Sequence, residues 1–94
     1  MKNDKKAFFL DRDGVINQDI GYITNIKHFK WLKGSKKAIK FLNDNKYIVV
    51  VITNQAGIAK GHIKISELTT LHKSINLQLK KNNAKINRFY FCPY

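Results

Sequence analysis

The sequence predicts an α/β fold, a parallel sheet with flanking helices in the order β-α-β-α-β. Two observations carry this reading. The stretch "YIVVVIT" holds five consecutive β-branched apolar residues with no polar alternation, which implies a strand buried on both faces. A segment of helical spacing lies on each side of it, followed or preceded by a shorter apolar run. Strands and helices alternating in this way form parallel sheets through right-handed crossovers.

Each element has its own local reason. Residues 6–10 read as a first buried strand, rich in aromatic side chains. "DRDGVINQDIGYITN" follows as a loop or flap, with Gly14 and Gly21 as turn residues. Phe29, Trp31 and Leu32 form a core plug leading into the first helix. Ser35 is placed as the N-cap of that helix, which runs to about residue 45. Ala38, Ile39 and Leu42 share its apolar face while Lys36, Lys37 and Lys40 lie away from it, and "NDNK" ends it. After the central strand comes the glycine-bearing loop "NQAGIAKGHIKI". Ser66 starts the second helix, where Leu68, Leu71, Ile75 and Leu79 recur at spacings of three, four and four. Lys80 and Lys81 suit its solvated C-terminal end. "NRFYFCPY" reads as the third strand, with Cys92 half-buried in it.

Composition bounds the function. The 94 residues suit one small domain, taken as 1–94, and an apolar fraction of 44% is ordinary for a globular chain. No apolar run approaches the roughly 18 residues of a membrane span, and the N-terminus "MKNDKKAFF" does not read as a signal peptide. A cytoplasmic protein is the expectation, and a single cysteine, Cys92, agrees with a reducing compartment. The net charge of +12 raises nucleic acid as a partner. Against it, sixteen of the eighteen basic residues are lysines scattered along the chain, with arginine only at Arg12 and Arg88. Neither a nucleic-acid nor a membrane partner is expected, although the positive field would attract an anionic substrate. His28, His62 and His72 have no metal-ligand spacing and read as surface or loop histidines.

The chemistry concentrates where the first two strands end. Ligands of such sheets bind beyond the carboxyl ends of the strands. Asp11 and Asp13 occupy that end of the first strand, and Thr53 and Asn54 that end of the second. Two like charges so close need a cation, or one must hold a proton. Magnesium prefers oxygen ligands and bridges carboxylate and phosphate. The same pair suits phosphoryl transfer, one carboxylate attacking phosphorus and the other moving the leaving-group proton.

These stretches carry a resemblance. "FFLDRDGVIN" is similar to the first motif of the haloacid dehalogenase superfamily of phosphatases, and "VVVITNQAGIAKG" to its second. With "DIGYI" between them and "FYFCPY" after, the chain resembles the D-glycero-D-manno-heptose 1,7-bisphosphate phosphatases and the related histidinol phosphatases. The resemblance implies a Rossmann-like fold and a phosphorylated small-molecule substrate. It further implies that Asp11 is the nucleophile that becomes an aspartyl phosphate, and that Asp13 protonates the leaving oxygen and then deprotonates water. Asp11 and the Asp13 main-chain carbonyl would hold Mg2+. Thr53 would hold phosphoryl oxygens, Asn54 and Gln55 would shape that pocket, and Gly57 and Gly61 would let backbone approach a phosphate. Asp19, Gly21 and Tyr22 match the substrate-contacting flap, and Lys60 falls where a contact to a second phosphate is expected.

The departures from the pattern set further expectations. The third-motif lysine and the further acidic motif of such phosphatases do not occur in these 94 residues, so the chain reads as the N-terminal half of such a domain, weakly active or inactive alone. The alternatives are a histidinol-phosphate phosphatase and a catalytically incomplete phosphate-binding fragment. Without a following half, the first strand would present an unpaired, aromatic-rich edge, open to that half or to self-association. Zn2+ is not expected, because Cys92 is followed by Pro93 and Tyr94 and stands as at most a remnant of a zinc motif.

Overall fold

The computed structural model describes residues 6–92. Three strands, β1 (Ala7–Asp11), β2 (Ile48–Asn54) and β3 (Arg88–Cys92), form one sheet in the order β1-β2-β3, with both pairings parallel. Helix α1 (Ser35–Asp44) connects β1 to β2, and α3 (Ile65–Lys80) connects β2 to β3. The predicted β-α-β-α-β order is therefore the observed one. The last two residues of the stretch read as the third strand, Pro93 and Tyr94, lie outside the described residues. A short helix, α2 (Ala56–Ala59), occupies the loop after β2, and a 3-10 turn (Ile26–His28) interrupts the flap; neither was expected.

The registers decide where the site forms. Asp11 lies opposite Ile52, and Thr53 opposite Phe91, so the ends of all three strands share one rim. The ladders continue just past that rim, where the Arg12 amide donates to the Ile52 carbonyl and the Gln55 amide to that of Cys92.

One sheet face is packed. Val49 and Val51 meet Ile39 and Leu42 of α1 and Leu71, Ile75 and Leu79 of α3, with Ile16, Ile23 and Phe29 of the flap closing the cluster. All four spaced residues of α3 are buried as expected, as are Ile39 and Leu42. Phe29 packs edge-on against Trp31, whose Nε1 donates to Gln78 Oε1 at 2.6 Å. That indole bond pins the end of the flap to α3.

Several expectations need correction. The central strand is covered on both faces only in part: Val50, which alternates away from the helices, is buried, but Ile52 on the same side is 40% exposed, with Phe9 at 62% and Tyr90 at 55% beside them. β1 is an exposed edge strand rather than a buried one, because β2 pairs with it on one side only. Ala38 is exposed too; it borders an apolar groove with Phe8, Leu10, Val15 and Phe41 along that edge. Helix α1 is capped by Gly34, at φ 85°, one residue before Ser35. The Ser35 hydroxyl instead donates to the carbonyls of Ile16 and Leu32, tying the flap to the helix. Helix α3 begins at Ile65, with Glu67 accepting from the Lys64 amide, so Ser66 lies within its first turn. Cys92 is exposed, and His72 is buried inside the structure rather than on its surface.

Candidate functional site

A cleft of about 380 Å³ opens at the rim of the strands. Its floor holds Asp11, Arg12 and Asp13 from the end of β1, and Thr53, Asn54 and Gln55 from the end of β2. Asp19, Gly21 and Tyr22 of the flap form its wall. Lys60 is not among the lining residues; it is exposed at the C-terminal end of α2.

A tight turn after β1 builds the floor. The Arg12 carbonyl accepts from the amides of Val15, Ile16 and Asn17, and the Gly14 amide donates to the Asn17 carbonyl at 2.7 Å. Gly14 sits at φ +86°, a conformation that costs residues with a Cβ but not glycine. The turn brings the Asn17 amide back over Asp13, where Nδ2 donates to Oδ1 at 3.0 Å. Asn17 is wholly buried, and its Oδ1 has no partner among the described residues.

Asp13 is the most heavily bonded side chain of the site. The Arg12 guanidinium grips it through Nε at 3.1 Å and Nη2 at 2.9 Å to Oδ1, with Nη2 also 3.2 Å from Oδ2. The Thr53 hydroxyl and the Gln55 amide each donate to Oδ2 at 3.4 Å, near the limit of a useful bond. Gln55 Nε2 holds Thr53 Oγ1 far more closely, at 2.6 Å. Asp11 differs: its carboxylate has no hydrogen-bond partner among the described residues, and the residue is exposed to the cleft. Only one of the two like charges, Asp13, thus has a cation from its own motif. Arg12 is 1% exposed and lies between them in sequence.

The far side of that guanidinium meets α3. Arg12 Nη1 lies 3.1 Å from His72 Nε2, and the imidazole stacks on Phe89 of β3 with centroids 4.1 Å apart. Burial, helped by the Arg12 charge and opposed by Asp13, lowers the His72 pKa to about 4. Sequence reasoning missed both residues as site components. Arg12 was legible from its place between two carboxylates. His72 falls four residues after Leu68 and three before Ile75, on the buried stripe of α3, and that spacing was the available signal.

The flap wall is packed by glycine. A Cβ on Gly57 would lie 2.9 Å from Tyr22 Cδ1 and 3.0 Å from Ile63, so glycine there admits Tyr22 to the edge of α2. Tyr22 also stacks on His62, centroids 5.3 Å apart, which joins the flap to the loop after the second motif. His28 and His62 are exposed, and no group of three or more His, Cys, Asp or Glu side chains with metal-binding geometry occurs among the described residues. No helix there is long and apolar enough to cross a membrane.

Comparison with known proteins adds four findings. The family model for polynucleotide kinase 3 phosphatase matches residues 6–92. The D-glycero-beta-D-manno-heptose-1,7-bisphosphate 7-phosphatase of Haemophilus ducreyi is 38% identical, the match covering 96% of this chain and 50% of that protein. The D-glycero-alpha-D-manno-heptose-1,7-bisphosphate 7-phosphatase of Mycobacterium tuberculosis is 36% identical over 94% of this chain and 47% of its own length. Among solved structures, the D,D-heptose 1,7-bisphosphate phosphatase of B. bronchiseptica, complexed with magnesium and phosphate, superimposes with a TM-score of 0.87 at 32% identity, covering 95% of this chain and 50% of that one. The chain spans about half the length of the curated relatives it matches.

Proposed function

The chain belongs to the polynucleotide kinase 3 phosphatase family, and on that footing we propose that it is part of a magnesium-dependent phosphomonoesterase acting on D-glycero-D-manno-heptose 1,7-bisphosphate. Residues 1–94 form a single incomplete haloacid dehalogenase-like domain in this reading, inactive or weakly active when tested alone. The observation that carries it is the contrast between two carboxylates in one cleft. Asp13 is fixed by four side chains, while Asp11 is left free to react.

An Asp11 oxygen attacks phosphorus, and the bond from phosphorus to the sugar oxygen breaks as the aspartyl phosphate forms. Asp13 gives its proton to that departing oxygen, so the sugar leaves as the alcohol. Asp13 then takes a proton from a water that attacks the same phosphorus. The bond from Asp11 to phosphorus breaks, inorganic phosphate leaves and Asp11 is regenerated. Thr53 turns its hydroxyl from the long contact with Asp13 to a phosphoryl oxygen, its position kept by Gln55. Magnesium, when bound, neutralises charge on the transferring group. Asp11 and the Asp13 main-chain carbonyl would hold it. An uncommitted carboxylate fits an ion that keeps several of its waters.

Asp19, Gly21 and Tyr22 would face the sugar, and the relatives of both anomeric designations support the reading of a heptose ester. The test measures phosphate release by the full-length protein that carries this chain, from heptose 1,7-bisphosphate and from histidinol phosphate, with magnesium present. Release from the heptose ester that Asp11→Asn abolishes is the expected result. Preference for histidinol phosphate transfers the reading to that substrate. A rate equal to the enzyme-free background on both esters overturns it in favour of a phosphate-binding fragment.

A further inference from the structure

Arginine carries five N–H donors and no acceptor, and it stays charged. The atom it approaches on His72 must therefore offer a lone pair. This makes Nε2 the acceptor and leaves the proton of the neutral imidazole on Nδ1. The arrangement is over-determined on every side. His72 is 6% exposed, Phe89 lies parallel beneath the ring at an interplanar angle of 9°, and α3 holds the backbone. Arg12, at 1% exposure, has its Nη1 on His72 while Nε and Nη2 clasp Asp13. The guanidinium is planar, so fixing one nitrogen fixes the orientation of the other two.

From this geometry we infer that His72 is a positioning residue: through Arg12 it sets the angle at which Asp13 presents its carboxyl group to the cleft. The inference rests on the phosphatase reading only for the consequence that Asp13 moves the proton. The relay spans 60 residues of sequence and joins the middle of α3 to the turn after β1. A rigid support suits a group that must meet first a leaving oxygen and then a water at nearly the same place.

Two variants separate positioning from packing. His72→Phe keeps an aromatic ring over Phe89 and removes the acceptor; His72→Gln removes the ring and offers an amide oxygen. Nitrogen-15 NMR of the Arg12 guanidinium, recorded without substrate, reads the clamp directly. Resolved, slowly exchanging Nη signals are expected in the wild type and in His72→Gln, collapsing to averaged signals in His72→Phe. In turnover, His72→Phe should lower kcat about 10- to 100-fold, the scale on which outer partners of a site act, with KM little changed. His72→Gln should recover most of that loss. Unchanged Arg12 signals together with unchanged kcat in His72→Phe overturn the inference, as does an equal fall of kcat in both variants. A wild type without turnover overturns the phosphatase reading alone, and the guanidinium signals still decide whether His72 holds the clamp. Thermal melts of each variant separate lost folding from lost positioning.

Discussion

Stability toward acid should report on His72. Its pKa falls from 6.5 to about 4 on folding, because burial and the Arg12 guanidinium disfavour the imidazolium more than Asp13 favours it. The unfolded chain therefore binds a proton between those values that the folded chain refuses. Stability from this group is complete above about pH 6.5 and is lost as pH falls toward 4. At pH 5 the unfolded imidazole is almost fully protonated and the folded one about a tenth protonated. The difference amounts to about 2 kcal/mol, rising to about 3 kcal/mol below pH 4, where the folded imidazole is protonated as well. Against the roughly 5–10 kcal/mol of a small domain this is a large loss. The assay is urea unfolding followed by Trp31 fluorescence, for wild type and His72→Gln, at steps from pH 7.5 to 5. Carboxylates titrate in both proteins, so the pH dependence of the difference between them isolates the histidine. Wild type should lose about 2 kcal/mol more than the variant over that range. Two parallel curves would refute the claim that His72 is buried neutral against Arg12.

Other perturbations follow from the same geometry. Gly57→Ala puts a methyl group 2.9 Å from Tyr22 and 3.0 Å from Ile63; it should cost about 1–3 kcal/mol in thermal unfolding and displace the flap, seen as a shifted Tyr22 ring resonance. Thr53→Val leaves the buried Gln55 amide without its 2.6 Å acceptor, and urea unfolding should show a loss of about 1–3 kcal/mol. Phe9, 62% exposed on the edge strand, should promote association between copies; Phe9→Lys should weaken it by about 2 kcal/mol, or about thirtyfold in the dimer constant, measured by sedimentation equilibrium. A wild-type chain that stays monomeric at high concentration would show that neither the edge nor the face drives pairing.

The parts of the site legible in the sequence are those fixed by backbone course. An apolar strand ending in Asp11 and another ending in Thr53 and Asn54 are neighbours, and parallel pairing through a helical crossover puts their carboxyl ends on one rim. Asp19, Gly21 and Tyr22 reach the same cleft because the flap is tethered at both ends, the Gln18 amide donating to Lys30 and the Leu32 amide to Ile16. Lys60 was placed by motif position, and the turn of α2 carries it to the exposed end of that helix. Gly34, at positive φ, takes the N-cap of α1 one residue before Ser35, and α3 starts one residue before Ser66, capped by Lys64 with Glu67 behind it. Such shifts arise from loop paths, which propensity does not encode.

By itself the sequence determined the order of elements, the apolar stripes of the helices, and which end of the sheet carries two carboxylates, a hydroxyl and an amide. These depend on periodicity and on neighbours a few residues apart. Only the tertiary structure decided that Ile52 of β2 lies uncovered while Val49, Val50 and Val51 are buried, and that Arg12 bridges Asp13 and His72 while Asp11 stands alone. Burial and charge pairing are properties of what packs against a residue. For His72 that neighbour lies sixty positions away, where no local pattern reaches it.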